Sequence, residues 1–211
     1  PMIYSVKVNQ GMFNPNIDSQ IELAAQAMLD GKLVAYPTDT VYGVGCASDS
    51  DQAIADLYIL KDRPHNLKMP LLLSDQSQIA QVAPCIPDSA AFLVDKYWPG
   101  PLTIIVQSHP DLNEQIGGGS GTVALRVPNH YVPRKLAELV GCPIVGTSAN
   151  KSGEPSCRTY QEVITTFPTG LAFVVNGGDS YIGVESTIVD CTSPEIKIIR
   201  QGALDITEDF K

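Results

Sequence analysis

The chain has 211 residues, 44% of them hydrophobic, so it can bury one sizeable core, and one domain is predicted over residues 1–211. It carries 14 Lys and Arg against 23 Asp and Glu, a formal net charge of −9 at pH 7. That charge argues against a protein that coats nucleic acid or an anionic membrane, because phosphate contacts need a concentrated positive field. A local basic cleft stays compatible with the composition.

The five cysteines are widely spaced and include no CxxC pair. This pattern predicts neither a disulfide framework nor a thiolate zinc site, and no metal-binding residue is predicted elsewhere. Residues 1–4 hold no basic region followed by an apolar run, and no segment has the apolar length that spans a bilayer. The sequence therefore predicts a cytoplasmic protein without a membrane partner.

Helical and strand-like patterns alternate along the chain. Asp18 is the predicted N-cap of the first helix; Ser50 is the predicted cap of a second helix that carries Lys61 and Arg63 to its C-terminal end, where Pro64 terminates it. Further helices are predicted at 90–97, 133–140 and 159–167, and strands at 33–36, 71–73, 103–106, 122–127, 143–145, 171–175, 186–190 and 196–200. The last three strands leave no room for helices between them, which predicts antiparallel pairing and one mixed twisted sheet flanked by helices, an α/β fold.

The segment 36–45 follows a buried strand and combines hydroxyls, a carboxylate and glycines where the chain must turn. Such groups at the end of a strand suit a ligand pocket. They are equally typical of an ordinary turn in which Thr and Asp side chains bond their own backbone. The segment matches neither a Walker A loop nor a dinucleotide GxGxxG.

Lys61, Arg63 and Lys68 form a local positive cluster in an acidic chain. One interpretation is a solvated helix end, where cations suit the helix dipole. The other is a phosphate site in which Arg63 binds phosphate oxygens in a bidentate manner and Lys61 neutralises a further oxygen.

Arg126 interrupts an otherwise apolar strand. Burying an unpaired guanidinium costs several kcal/mol, so a carboxylate partner is expected. Either a structural ion pair or the carboxylate of a substrate meets that requirement.

The run after the strand at 143–145 is rich in small hydrogen-bonding side chains, among them Ser148, Asn150 and Ser156. Such side chains donate to phosphates or bases, and they are also common in plain loops. No Ser-His-Asp or Cys-His arrangement and no helical pair of carboxylates is evident, which disfavours covalent catalysis. The inventory favours a reaction that works by orienting substrates and screening phosphate charge.

Six motifs in order carry a resemblance to a known family: YPTDTVYG (36–43), LKDRP (60–64), WPGPLT (98–103), VALRVP (123–128), TSANKSG (147–153) and ESTIVD (185–190). Together they closely resemble the YrdC/TsaC family, over about 36 to 202. The resemblance implies a YrdC-like twisted mixed β-sheet flanked by helices, similar to dihydroxybutanone-phosphate synthase. Because the chain ends soon after Leu204, it also implies the short, single-domain form.

The resemblance implies a nucleotidyltransferase, L-threonylcarbamoyladenylate synthase. Such an enzyme makes threonylcarbamoyl-AMP from L-threonine, bicarbonate or CO2 and ATP, and it releases pyrophosphate with the help of Mg2+. The product feeds threonylcarbamoyladenosine formation at position 37 of tRNAs. The tRNA would be reached indirectly, through partner proteins that transfer the threonylcarbamoyl group.

Carried over motif by motif, the resemblance assigns residues to both substrates. The residues implied to contact ATP are Lys61, Arg63, Ser148, Asn150, Ser156 and Arg200, with Thr122 as a further candidate. Lys61 and Arg63 would be catalytic. Thr38, Arg126 and Ser186 would hold threonine, with Arg126 pairing its carboxylate.

Three departures from the family pattern are expected to bear on threonine affinity and selectivity. The stretch between Arg63-Pro64 and Pro70-Leu71 is about two residues longer than the family spacing. Ser74 stands where some longer relatives have a His near threonine, and Gly146 replaces a small hydroxyl residue.

Other functions within the same fold stay open. One is a noncatalytic YrdC-like module that binds double-stranded RNA or tRNA, which the acidic charge disfavours. Another is a YciO-like paralogue or a carbamoyl-handling domain like that of HypF. The intact Ser148-Ala149-Asn150 run favours the synthase, because YciO-type chains tend to lack it.

Overall fold

The computed structural model describes residues 16–117 and 121–210; residues 1–4, with their expected lack of a targeting signal, lie outside these ranges. The helices are α1 (Ile17–Leu29), α2 (Asp51–Lys61), α3 (Asp88–Tyr97), α4 (Tyr131–Val140) and α5 (Tyr160–Thr166). The strands are β1 (Val34–Tyr36), β2 (Gly43–Gly45), β3 (Leu71–Leu72), β4 (Leu102–Gln107), β5 (Thr122–Arg126), β6 (Ile144–Val145), β7 (Thr147–Ser148), β8 (Phe173–Val174), β9 (Thr187–Asp190) and β10 (Lys197–Arg200). None of the helices in this part of the chain is long and apolar enough to cross a membrane.

The strands form two mixed sheets, with the orders β7-β2-β1-β8 and β10-β9-β4-β5-β3-β6. The predicted α/β fold is confirmed, but the prediction of a single sheet is wrong. The prediction of an antiparallel C-terminal third holds only for β9 and β10. Strand β8 pairs in parallel with β1, and β9 pairs in parallel with β4, because the chain crosses from one sheet to the other between them.

Local signals set the helix ends that matter for the site. Ser50 caps α2 as predicted, its side chain accepting from Ala53 N at 3.4 Å. The helix ends at Lys61, since Asp62 takes a left-handed conformation with φ of 52°, before Pro64 is reached. The cap of α1 is Asn16 and not the predicted Asp18, which lies in the first turn.

The six-stranded sheet presents one face to the core and the other to a cavity. Successive side chains of a strand point to opposite faces, so residues two apart share a face. On β5, Val123 and Leu125 pack in the core. Ala124 and Arg126 point the other way and line the cavity, which places a charged residue of an otherwise apolar strand in a site.

Candidate functional site

A cavity of about 280 Å³ lies between the two sheets. One wall is the segment from Thr38 to Gly43, which joins β1 to β2, together with β7; the other wall is the free face of β4, β5, β9 and β10. The predicted site residues that line it are Thr38, Arg63, Arg126, Ser148, Ser186 and Arg200. Apart from Arg200, these predicted residues come from five of the six motifs, and Thr103 brings the remaining motif, 98–103, to the same cavity.

Lys61 lies behind the cavity wall and is 1% exposed. Its ammonium donates to Ser148 O, to Asn150 O at 2.7 Å and to Asn150 Oδ1 at 3.2 Å. Burial lowers the pKa of Lys61 to about 7, and repulsion from Arg63 acts in the same direction. In this arrangement Lys61 fastens the end of α2 to the Ser148–Asn150 turn.

Asn150 and Ser156 also support the wall. Asn150 Nδ2 donates to Glu154 O at 2.6 Å, and its Oδ1 accepts from Ser148 Oγ at 2.7 Å. Ser156 Oγ donates to Glu185 Oε1 at 2.6 Å, and this bond holds the pKa of the Glu185 carboxyl below its usual range. These two residues thus orient Ser148 and Glu185, both of which line the cavity.

Thr122 lies on the same strand face as Ala124 and Arg126, at the far end of β5. The lining of the cavity includes Ala124 and Arg126 and stops short of Thr122 among the described residues. Thr122 is therefore separated from the described cavity lining along β5.

Arg126 is 5% exposed and is fixed by three partners. Its Nε donates to Gly100 O at 2.9 Å, one terminal nitrogen donates to Thr40 Oγ1 at 2.9 Å, and the other pairs with Asp39 Oδ1. Of the two anionic partners that the sequence left open, the ion pair is present in this structure. The guanidinium still lines the cavity, so a ligand carboxylate can approach it as well.

The predicted threonine-site hydroxyls are held by neighbours. Thr38 Oγ1 donates to Val41 O at 2.7 Å and accepts from Thr40 N at 3.1 Å, so the turn interpretation is confirmed for Thr38. The hydroxyls of Ser186 and Thr103 lie 2.8 Å apart. Thr38 and Ser186 both line the cavity, so the turn that Thr38 stabilises also forms part of the cavity wall.

Several lining residues were outside the predicted set: Thr40, Lys68, Thr103 and Glu185. Lys68 had been noted for its charge only, and Thr103 and Glu185 stand inside recognised motifs without an assigned role. Period-two alternation on β4, which puts Thr103 opposite the core residues Leu102 and Ile104, is the signal that could have found Thr103.

The three departures have different structural consequences. Gly146 lines the cavity, and a Cβ there would lie 2.4 Å from Leu72 Cγ, so Leu72 fills the space of a larger residue. Ser74 lies outside the lining; its backbone nitrogen donates to Gln78 Oε1 at 2.8 Å, and its carbonyl accepts from Arg134 Nε at 2.8 Å. The segment between Arg63 and Pro70 carries Lys68, which lines the cavity.

The cavity collects positive charge in an acidic chain. Arg63, Lys68, Arg126 and Arg200 line it, and Glu185 is the carboxylate among the described lining residues. Asp39 neutralises Arg126 from behind. The fold and the cavity together define an α/β protein with a positively charged cleft between two sheets.

Comparisons with known proteins identify the family of this α/β protein. The Sua5/YciO/YrdC family model, described as telomere recombination, matches residues 26–202. The chain belongs to this family.

Several curated relatives are named threonylcarbamoyl-AMP synthase, and two of them differ in how much of their length the chain covers. The one from Pyrococcus abyssi is 36% identical over 189 residues, 90% of this chain and 56% of the relative. The one from Vibrio cholerae is 34% identical over 184 residues, 86% of this chain and 97% of the relative. The chain thus spans a little over half the length of the Pyrococcus protein and nearly all of the Vibrio protein.

Solved structures confirm the fold. The crystal structure of P. abyssi Sua5 complexed with L-threonine superimposes with a TM-score of 0.86 at 36% identity, over 90% of this chain and 56% of that one. E. coli YciO superimposes with a TM-score of 0.81, over 92% of this chain and 94% of that one, at 22% identity. The second match bears on the fold alone.

Proposed function

We propose that this protein is an L-threonylcarbamoyladenylate synthase, in which the family domain forms threonylcarbamoyl-AMP from L-threonine, bicarbonate or CO2 and ATP. The observation that carries the proposal is the convergence of four cations and several hydroxyls in one cavity of an acidic chain. The names of the relatives and the threonine bound to P. abyssi Sua5 support it. The product would pass to proteins that modify position 37 of tRNA.

In this proposal Arg63, Arg200 and Ser148 contact the phosphates of ATP. Lys61 and Asn150 act mainly by holding the turn that carries Ser148. Ser156 holds Glu185 in place, and Thr122, at the far end of β5, is assigned to the nucleotide.

Arg126 would pair with the carboxylate of threonine, and Thr38 and Ser186 would flank the amino acid. The three residues lie on different elements yet line the same cavity. A guanidinium already oriented by Gly100, Thr40 and Asp39 costs little to align with a second anion.

The reaction needs no protein nucleophile. The amine of threonine forms a bond to the carbon of CO2 and loses a proton, which gives a carbamate. A carbamate oxygen then attacks the α-phosphorus, the bond to the β,γ-pyrophosphate breaks, and pyrophosphate leaves with that electron pair. Preorganised cations at the phosphates stabilise the charge that develops in this step.

The donor atoms that line the cavity fit an Mg2+ ion that is held by one protein carboxylate and by the phosphates of the substrate. Mg2+ is commonly bound by one or two carboxylates together with substrate phosphates and water. Among the described residues no cluster of three or more His, Cys, Asp or Glu could hold a metal, so Glu185 would be the protein ligand and the phosphates would supply others. Bound there, the ion would offset phosphate charge.

The decisive experiment is a pyrophosphate-release assay with purified protein, ATP, bicarbonate and L-threonine. We expect release that depends on threonine, and loss of that release in the double variant Arg126→Met/Asp39→Asn, which removes both charges of the buried pair. ATP binding by the double variant should stay near that of the unmodified protein. Release that continues without threonine would overturn the assignment.

A further inference from the structure

Lys68 is a cation of the cavity to which the motifs assign no role. It lies in the segment between α2 and β3, half-buried, and lines the cavity together with Arg63. Lys68 lies outside all six motifs, between the one that ends at residue 64 and the one that begins at residue 98.

The segment that carries Lys68 is fastened at several points. Arg63 Nε donates to Leu67 O at 2.9 Å, and Arg63 also donates to Lys68 O at 2.8 Å. Tyr58 Oη lies 2.8 Å from Leu67 O, and the Tyr58 ring stacks on His65 with centroids 5.0 Å apart. These contacts hold the backbone of Lys68 in one place beside Arg63.

Lys68 lines the cavity, and its ammonium donates to Glu114 O, whose residue lies outside the lining. An ammonium has three N–H groups, and this bond occupies one of them. Arg63 interacts with the backbone carbonyls of Leu67 and Lys68 and with the Tyr58 side chain, and Lys68 donates to a backbone carbonyl. Within the described ranges neither cation forms an ion pair with a carboxylate. Two neighbouring cations in one cavity lining form a site for a multiply charged anion.

We propose that Lys68 is a further phosphate-binding residue, which together with Arg63 contacts the polyphosphate of the nucleotide. This inference rests on the proposed function, since it names a subsite of the same cavity. Lysine suits the task because its ammonium is a compact charge on a flexible stem and binds phosphate from several directions. Arg126, by contrast, is already paired with Asp39 and held in one orientation.

The test compares Lys68→Met with Lys135→Met. Lys135 lies on α4, where it pairs with Glu138 on the surface, so both variants change the net charge equally. Isothermal titration with ATP, inorganic pyrophosphate and L-threonine gives three dissociation constants for each protein. We expect Lys68→Met to weaken ATP and pyrophosphate about tenfold, which is about 1.4 kcal/mol. Threonine affinity and the melting temperature should not change.

Lys68→Arg should keep most of the affinity for ATP, because it keeps the charge. If the unmodified protein binds ATP and Lys68→Met binds it as well as Lys135→Met does, the role of Lys68 is refuted while the proposed function stands. If the unmodified protein binds neither ATP nor pyrophosphate, both proposals fail.

Discussion

The buried pair of Asp39 and Arg126 is the most constrained feature of the site. Asp39 is fully buried, and its Oδ2 has no hydrogen-bond partner within the described ranges, while Oδ1 pairs with the guanidinium. A buried polar atom without a partner costs free energy, so this pair is not built for stability alone. Its consequence is a guanidinium held in fixed orientation at a cavity wall.

The pair predicts a strong and non-additive effect on stability. Asp39→Asn should lower the free energy of unfolding by about 3 kcal/mol, because it leaves the buried Arg126 without its counter-charge. Urea denaturation measures this change. Adding Arg126→Met to Asp39→Asn should recover most of the loss, since both charges are then gone. Losses that simply add would show that the two side chains are not coupled.

The protonation state of Lys61 should make ATP binding depend on pH. Its pKa in the free protein is about 7, lowered by burial and then by Arg63. Bound phosphate favours the charged ammonium and raises this pKa. At about pH 8 the free side chain is mostly neutral, so ATP binding should be accompanied by a net uptake of protons.

Titration of ATP in buffers of different ionisation enthalpy measures this uptake. The uptake should shrink as the pH falls below about 6, because Lys61 is then charged both with and without ATP. The matching experiment at low pH is thus the internal control. Proton release on binding at about pH 8 would contradict the prediction.

At the scale of elements, the junction of β6 and β7 shapes the cavity. Gly146 lies between these strands, and Leu72 of β3 packs where a side chain at 146 would stand. A Cβ at 146 would meet Leu72 Cγ at 2.4 Å and Leu72 Cδ1 at 2.5 Å. The departure from the family hydroxyl and the leucine opposite it are therefore one packing solution.

This packing predicts a coupled pair of substitutions. Gly146→Ser should lower the free energy of unfolding by about 1–3 kcal/mol through overpacking. Leu72→Ala should be destabilising alone, because it opens a cavity. Combined, the two should cost less than the sum of the single changes, as measured by denaturant unfolding. Additive losses would show that Leu72 does not limit the residue at 146.

At the scale of the whole molecule, the distribution of charge separates the proposed enzyme from an RNA-binding module. The chain has a net charge of −9, and four of its 14 basic residues line one cavity between the sheets. Positive charge gathered in a cavity of about 280 Å³ suits a small anion better than a duplex.

We therefore expect no appreciable binding of double-stranded RNA at physiological salt, while ATP binds. A filter-binding assay over a range of salt concentrations, with ATP titration of the same preparation, checks both. Tight RNA binding that falls steeply with salt would favour the RNA-binding alternative.

Local pattern was enough for much of the secondary structure. Ser50 predicted the start of α2, and an apolar run rich in strand-forming residues predicted β5 and the burial of Arg126 within it. The ordered motifs contain five of the predicted residues that line the cavity, and the family resemblance added Arg200. These features depend on residues that are close together in the sequence or on whole motifs. They can therefore be predicted from the sequence of one protein.

The tertiary structure alone decided which groups meet across long distances. Asp39 and Arg126 are 87 positions apart, and Lys61 and Ser148 are separated by the same number, so no periodicity relates them. The division into two sheets likewise follows from packing, because β8 pairs with β1 and β9 pairs with β4, strands that lie much earlier in the chain. The sequence by itself determined the elements, the buried arginine and the acidic charge. Folding determined which carboxylate pairs with that arginine. It also determined that Lys61 lies behind the cavity wall whereas Lys68 lines the cavity. The reason is that pairing energies depend on burial and distance, which exist only once the chain is packed.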